Sequence, residues 1–412
     1  MVKDEIAIAG GGIAGLALAL GLKQRGIESR VYEVAPEFKN LGVGITMLPH
    51  AMRELTALGL GEKVAASGIE NTTSAFFNRF GQLIYKEPRG RFAGYPVPEI
   101  GIHRGKLHTI LFEAAVAQLG SDHVVLNRRC TGLDQDVNGV TLHLQETTTG
   151  QAADDVRASV VIACDGINSA VRRQFYPGEE PAFEGINTWR GVSRGKPILD
   201  GRTYIRIGSI KTGKIVIYPI ENNIDGKGNQ LINWTTEAPL LGRPKNDWNK
   251  PGKLEDFLPI YESWRFDWLD VAQLLRDTEV LLEYPMVDKD PVDRWTFGRV
   301  TFAGDAAHPM YQRGSNGSAQ SLIDARTLAD LIKAKGALAA LQAYEDIRRP
   351  LTARIVAANR KNPPDFINIK VEELVGDRPF DNLDRYISQD ELRALSDSYK
   401  RVAGFSMSDI AQ

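Results

Sequence analysis

Cysteine is almost missing from this 412-residue chain. The two present, Cys130 and Cys164, are far apart and lack metal-ligand spacing. A disulfide framework and a zinc site are thereby excluded, and two reduced thiols in a cytoplasmic protein are expected. A long hydrophobic run is missing too. The apolar stretch Ile13 to Leu22 is too short to span a bilayer, and Asp4 and Glu5 precede it where a secretory signal would carry positive charge. No sign of charge dominates: 50 Lys and Arg face 52 Asp and Glu, a formal charge of -2. That balance leaves no basic footprint for nucleic acid. The sequence contains no Ser-His-Asp or metal-ligating constellation, no internal repeat and no low-complexity segment. Its length allows two domains or one large one carrying an insertion.

What is present begins with glycine. A short β-prone run with Ile6 and Ile8 meets Gly10, Gly11 and Gly12, and Ile13, Leu16 and Leu20 follow at helical spacing. A second β-prone run, Val31 and Tyr32, stops on Glu33. Gly10, Gly12 and Gly15 fit the G-x-G-x-x-G fingerprint of a dinucleotide site. Gly10 allows the tight turn from strand to helix, Gly12 lets a pyrophosphate approach the backbone, and Gly15 lets helix and strand pack closely. The helix N-terminus offers free N–H groups to phosphates, and Glu33 stands where a carboxylate accepts from ribose hydroxyls.

Further along, Pro36 and Asn40 suggest a loop, and Gly42 and Gly44 admit either a close approach of backbone to ligand or a simple turn. Thr73 to Tyr85 alternates like a hairpin turning at Gly81 and Gln82. His103 and Arg104 open a helical run. An Arg there opposes the helix dipole, so it is either an ordinary solvated residue or a cation serving an anionic or polar ligand. His123 to Leu144 reads as strands around Asn138 and Gly139. Val156 to Ala163 is a nearly continuous apolar strand running into Cys164, Asp165 and Gly166, the place where open α/β sheets bind ligands. From Pro181 to Asp288 short alternating runs suggest a second, largely antiparallel sheet, with a helix from Trp248 to Leu275 crossing it. Arg299 to Ala303 is another buried strand, ending at Gly304 and Asp305. A Gly-rich loop then leads into a helix from Ser318 to Lys333. The remainder is mostly helical, with a break near Pro350, a stop at Pro363 and Pro364, and a polar end expected at the surface or a subunit contact.

Three ligand-type motifs in this order resemble those of the single-component FAD-dependent aromatic hydroxylases, the para-hydroxybenzoate hydroxylase-like flavoprotein monooxygenases. Residues 163–172, Ala-Cys-Asp-Gly-Ile-Asn-Ser-Ala-Val-Arg, look like the family's long DG motif, and Gly304 to Met310 look like its GD motif. Within the family the chain resembles in particular the phenazine-1-carboxylate-type branch, through Glu87 to Gly90, Ile102 to Gly105, Thr188 to Gly191, Tyr284 to Asp288 and the run around Asn316 and Gly317. The resemblance implies an α/β fold: a discontinuous Rossmann-like FAD-binding domain (1–72, 101–180, 289–350), a mainly antiparallel β-sheet substrate domain (73–100, 181–288) and a C-terminal helical segment (351–412). It also implies that Gly10, Gly12, Ile13, Ala14 and Gly15 hold the FAD pyrophosphate, and that Glu33, with Val34 beside it, holds the adenosine ribose. Arg104 would reach the pyrophosphate and ribityl region, and Gly44 belongs to the same set. The backbone of Cys130 would meet the adenine, Asp165 the diphosphate, and Gly304 with Asp305 the ribityl chain. The amides of Asn316, Gly317 and Ser318 would face the N1–C2=O edge of the flavin ring. One departure stands out: in that branch the counterpart of Tyr311 is followed by proline, and here Gln312 and Arg313 follow it.

The activity so implied is hydroxylation of an aromatic or heteroaromatic, possibly carboxylated, small molecule. NADH or NADPH, bound transiently, reduces the flavin, and O2 adds to form a C4a-hydroperoxide. The pocket is expected between flavin and second sheet, lined from among Trp189, Arg190, Tyr204, Arg206, Tyr218, Trp234, Met286, Tyr311 and Arg313, although alternation turns about half of such strand residues away. A FAD-dependent halogenase or reductase, or a non-catalytic flavin-binding redox sensor, are the alternatives. The W-x-W-x-I-P motif typical of the halogenases is absent.

Overall fold

Isoleucine, valine and alanine fill Ile6–Ala9 and Val160–Ala163, and both runs are buried centre strands. Buried on both faces, such strands pair in parallel and need helices over them. A computed structural model describes residues 4–38, 42–239, 250–361 and 363–410. The first sheet runs in the order Thr296–Phe297, Val300–Phe302, Val156–Ala163, Asp4–Ala9, Arg30–Tyr32 and Val124–Val125. All neighbours are parallel except the Thr296–Phe297 edge. Register aligns the strand ends: Ala9 pairs with Tyr32 and with Ala163, and Ala163 with Phe302. Four chain exits, each followed by a motif residue, therefore open at one level.

The hairpin Arg128–Asp136 and Gly139–Glu146 attaches to the start of Val156–Ala163. Its two-residue loop is Val137–Asn138, one residue earlier than the Asn-Gly reading, because Asp136 Oδ1 accepts from the amides of both Asn138 and Gly139. Helices Ile13–Gln24 and Gly317–Lys335 pack on each other over the sheet, and Ala337–Lys361 lies against the second of them. That last helix runs through Pro350 without the expected break. Burial of Glu345, Arg348 and Thr352 along its inner face outweighs the hydrogen bond that proline forfeits.

The second sheet has eight strands: Lys250–Pro251, Thr278–Asp288, Ala182–Gly195, Gln230–Pro239, Gly213–Glu221, Thr203–Ser209, Thr73–Phe77 and Leu83–Pro88. Only Thr203–Ser209 and Thr73–Phe77 pair in parallel. Its outer face is covered by 254–276, which is not the single helix expected. Trp248 lies outside the described residues, as does Asn40. The rest comprises two short helices, Leu258–Tyr261 and Val271–Arg276, split by the Arg265–Phe266 and Leu269–Asp270 hairpin. Phe257, Tyr261, Trp264 and Leu275 point down onto the sheet, so burial imitated one helical stripe. No helix among the described residues is long and apolar enough to cross a membrane.

Candidate functional site

At the exit of the first strand, Gly10 takes φ +102, and its amide donates to the Tyr32 carbonyl at 2.8 Å. A side chain there would strike the Cys164 carbonyl oxygen at 2.4 Å, and one on Gly15 would lie 2.0 Å from the Gly10 carbonyl oxygen. Both glycines are therefore demanded by the protein itself. Gly12 is different, since a methyl group placed on it would meet nothing within 4 Å. Protein packing does not explain that glycine, whereas a ligand close to the backbone does. Glu33, at the end of the next strand, accepts from the amides of Gly11 (2.5 Å) and Ala35 (2.8 Å). It is thus held at the loop with lone pairs to spare, and the apolar Val34 beside it is exposed.

The next two exits bring acids to the same cleft. Asp165 Oδ2 accepts from the Ala170 amide at 2.8 Å, while Oδ1 is buried without a partner. Burial raises its carboxyl above the ordinary aspartate range, and the Ser169 hydroxyl and the backbone donors only partly counter this. Cys130 lies close enough that Asp165, after burial, adds to the rise of its thiol to about 12, so it stays a thiol at neutral pH. Asp305 is open to the cleft by surface exposure. The walls around it nonetheless raise its carboxyl, against the pull of His308 and Arg104. A methyl group on Gly317 would lie 3.8 Å from Asp305 Oδ1. Asp305 thus stands at the start of the Gly317–Lys335 helix, within electrostatic reach of Arg104. Arg104 is itself exposed at the first turn of Arg104–Leu119.

Buried charge fixes these loops. Arg172, with no exposed side-chain surface, donates to the carbonyls of Ala306 (2.9 Å) and Ala307 (2.8 Å) and pairs with Glu179. The helix after the Asp165 motif is thereby tied to the Asp305 loop. Asp324, one helix away, accepts from the Gly304 amide at 3.0 Å and Arg348 Nε at 2.7 Å, with His308 Nε2 2.5 Å from Oδ2. Burial opposes its ionisation, but His308 and Arg348 outweigh burial and bring the carboxyl down to about 2.

The second sheet presents one face to this cleft, and pairing sorts the candidates. Trp189 and Trp234 share the outer face with Ile205, Ile207, Ile215 and Ile217, Trp189 stacked on Phe257 and Trp234 tilted against it. They are core residues and do not line the pocket. Arg190, Arg206, Tyr204 and Tyr218 lie on the opposite face by register. Tyr204 and Tyr218 stack at 5.0 Å, with the Arg206 guanidinium 4.3 Å from the Tyr204 ring. Met286 and Tyr311 form a small apolar cluster with Ile186. Gly44 belongs to the same contact between layers. Its amide donates to Asn233 Oδ1 at 2.6 Å, its carbonyl accepts from Arg190, and a side chain would hit Asn233 at 2.7 Å. Sheet packing, then, explains this glycine.

The three candidate arginines differ in what they face. Arg206 pairs with Asp365 (3.3 Å) and donates to Ser74. Arg313 meets Glu237 at 3.1 Å, and Lys214 bridges Glu237 and Asp365. Burial works against the charge on Lys214, but the two carboxylates outweigh it and raise the ammonium above the ordinary lysine range. Arg190 has no carboxylate partner among the described residues. Its Nη2 donates to the Gly44 carbonyl at 3.2 Å, and its Nε is buried without a partner.

Several residues here escaped sequence reasoning. His108 lies one turn after Arg104 on the same helix, and its Nε2 is 2.7 Å from the Gly11 carbonyl oxygen. Burial lowers its pKa, so it donates to that oxygen as a neutral ring. The i, i+4 spacing from Arg104 was the one available signal. Nothing local marks His50 or Tyr399, which touch Asn316 from distant segments. The C-terminal helix Gln389–Ala403 is no surface appendage, since Tyr399 and Phe405 are buried with Leu48 and Tyr95.

Comparison with known proteins accords with this geometry. A family described as FAD binding domain matches residues 3–200 and 284–359. The chain is 40% identical over 364 residues to phenazine 1,6-dicarboxylic acid hydroxylase of Lysobacter antibioticus, covering 87% of this chain and 89% of that protein. It is 29% identical over 382 residues to 3-hydroxybenzoate 6-hydroxylase of Polaromonas naphthalenivorans, covering 90% of each. The fold matches that of Klebsiella pneumoniae HpxO complexed with FAD and uric acid, with TM-score 0.75 and 22% identity, over 99% of this chain and 97% of that one.

Proposed function

Since the chain belongs to the FAD-binding flavoprotein monooxygenases of the para-hydroxybenzoate hydroxylase type, and is a FAD-dependent aromatic hydroxylase, we propose that its own substrate is a carboxylated, electron-rich heteroaromatic ring of the phenazine class. The observation that carries this is Arg190, a cation on the cleft-facing side of the second sheet with a buried Nε and, among the described residues, no carboxylate against it. A buried donor without a partner costs about 1–3 kcal/mol, more when charged. A substrate carboxylate meeting the guanidinium removes that cost and fixes the ring's orientation. The relative acting on a phenazine dicarboxylate supports the ring class.

The residues around the strand ends suit FAD. Gly12 leaves open backbone for a pyrophosphate, Glu33 keeps free lone pairs for ribose, and the Asp165 Oδ1 orphan wants a donor. Gly10, Ile13, Ala14, Gly15, Val34, Arg104, Cys130, Gly304, Asp305 and the amides 316–318 complete that reading. Bound there, FAD supplies electron transfer from NADH or NADPH and the activation of O2, while the protein supplies position and dryness. Tyr204 and Tyr218, stacked on the same sheet face as Arg190, are buried, and Met286 and Tyr311 form a second buried apolar cluster, which keeps water from the reacting centre.

Arg190→Met tests the assignment. Loss of a charge-assisted pair worth about 1.5–3 kcal/mol raises KM for a phenazine carboxylate roughly 10- to 150-fold, with FAD affinity unchanged. The analogue without the carboxyl group should bind wild type and variant alike. Equal KM values for the carboxylate in both proteins would refute the role of Arg190. Reduced nicotinamide consumption that yields only hydrogen peroxide with every aromatic acid would refute the substrate class.

A further inference from the structure

Asn316 does not do what its place invites. It occupies the N-cap of Gly317–Lys335, where an asparagine ordinarily accepts from the second or third helical amide, yet it makes no such bond. Its side chain is drawn the other way. Oδ1 lies 3.0 Å from His50 Nε2, and Nδ2 donates to the Tyr399 hydroxyl at 2.7 Å and the Gly314 carbonyl at 3.3 Å. The Tyr399 hydroxyl donates onward to Asn359 Oδ1 at 2.8 Å. His50, Asn316 and Asn359 are fully buried, and Tyr399 nearly so.

The amide has one sensible orientation. Burial pushes His50 down to about 3, so at neutral pH its ring is uncharged and its Nε2–H donates to Oδ1. Donors on one side and acceptors on the other then hold the carboxamide from both ends. Gln320 is the first helical amide to find a backbone acceptor, the Asn316 carbonyl at 2.9 Å. No hydrogen bond from the amides of Gly317, Ser318 or Ala319 occurs among the described residues.

We propose that Tyr399 and His50 are positioning residues that hold the Asn316 side chain off its own helix, so that these first amides stay free for the edge of the flavin ring. The inference rests on the cofactor placement given above. Asn316 is held at φ -90 and ψ -25, a helical backbone from which its side chain does not cap. Without the two holders, the residue would be free to turn to the extended backbone of a capping asparagine and compete with the cofactor for the amides. This also gives the C-terminal helix a part in the active site, because Tyr399 is its contribution.

Tyr399→Phe keeps the ring packed near Phe405 and Gly314 and removes only the hydroxyl. FAD affinity, read by fluorescence quenching, should fall about tenfold, the equivalent of one hydrogen bond of roughly 1.4 kcal/mol. Because charge builds on the ring edge upon reduction, the reduced form should lose more. Each further tenfold loss lowers the two-electron midpoint potential by about 30 mV. His50→Phe, which retains stacking on Phe405, should act in the same direction. The decisive arm is Asn316→Ala, which has nothing to cap with: in that background Tyr399→Phe should cost less than about threefold, within the scatter of independent effects. An unchanged dissociation constant and potential in Tyr399→Phe, or a tenfold loss that persists with Asn316→Ala, overturns the proposal. Failure of the wild-type chain to bind FAD would instead overturn the cofactor placement beneath it.

Discussion

Gly12→Ala is expected to yield a folded protein that has lost most of its affinity for FAD. A methyl group there meets no protein atom within 4 Å, and Gly12 sits at φ -72 and ψ -172, a conformation open to any residue. The thermal unfolding of the cofactor-free variant should therefore match that of the cofactor-free wild type. A ligand against the backbone would be pushed off by overpacking of about 1–3 kcal/mol, a loss of up to roughly a hundredfold in affinity. Gly15→Ala supplies the contrast. Its methyl group would stand 2.0 Å from the Gly10 carbonyl oxygen, forcing helix and strand apart whether or not cofactor is present. That variant should unfold earlier even when cofactor-free. Flavin titration alongside thermal melts separates the two effects. Near-wild-type FAD binding by Gly12→Ala would mean that the pyrophosphate does not approach the chain there.

These two glycines show why part of the site could be read from sequence. A turn, a close approach and a strand end are local properties, set within a few residues of Gly10, Glu33, Asp165 or Asp305, and the parallel sheet then brings the four ends level. The second sheet was recognisable as a sheet for the same reason. Which side of it faced the cleft was not, because alternation distinguishes two faces without naming either. Trp189 and Trp234 consequently counted as pocket candidates until Phe257 claimed them for the outer core. The run through Leu275 failed differently: a strand pair and two short helices covering one sheet bury residues at irregular intervals that mimic a helical stripe. Long-range polar contacts left no trace at all. Asn316 meets His50 across 266 positions and Tyr399 across 83, and no spacing rule spans such distances.

The largest loss of stability is expected at Asp324, where three partners converge. Its carboxylate, with no exposed surface, receives the Gly304 amide, Arg348 and His308. Asp324→Ala would strand the buried Arg348 guanidinium and the Gly304 amide at once, and breaking one side of a buried pair costs about 3–5 kcal/mol. Because Gly304 opens the loop that carries Asp305, the same change should weaken FAD binding in whatever protein still folds. Acid gives an independent reading of the same group. The folded carboxyl ionises at about 2 instead of 3.8, so the folded state binds its proton less readily than the unfolded chain does. Asp324 then contributes about 2 kcal/mol at neutral pH, a contribution fully present above the unfolded value and lost as pH falls from about 4 towards 2. In urea titrations of the wild type across that window, the midpoint should drop. Asp324→Asn, which has no proton to gain, should start lower and fall less over the same range. Parallel declines in the two proteins would show that other carboxylates, and not this one, set the acid limit.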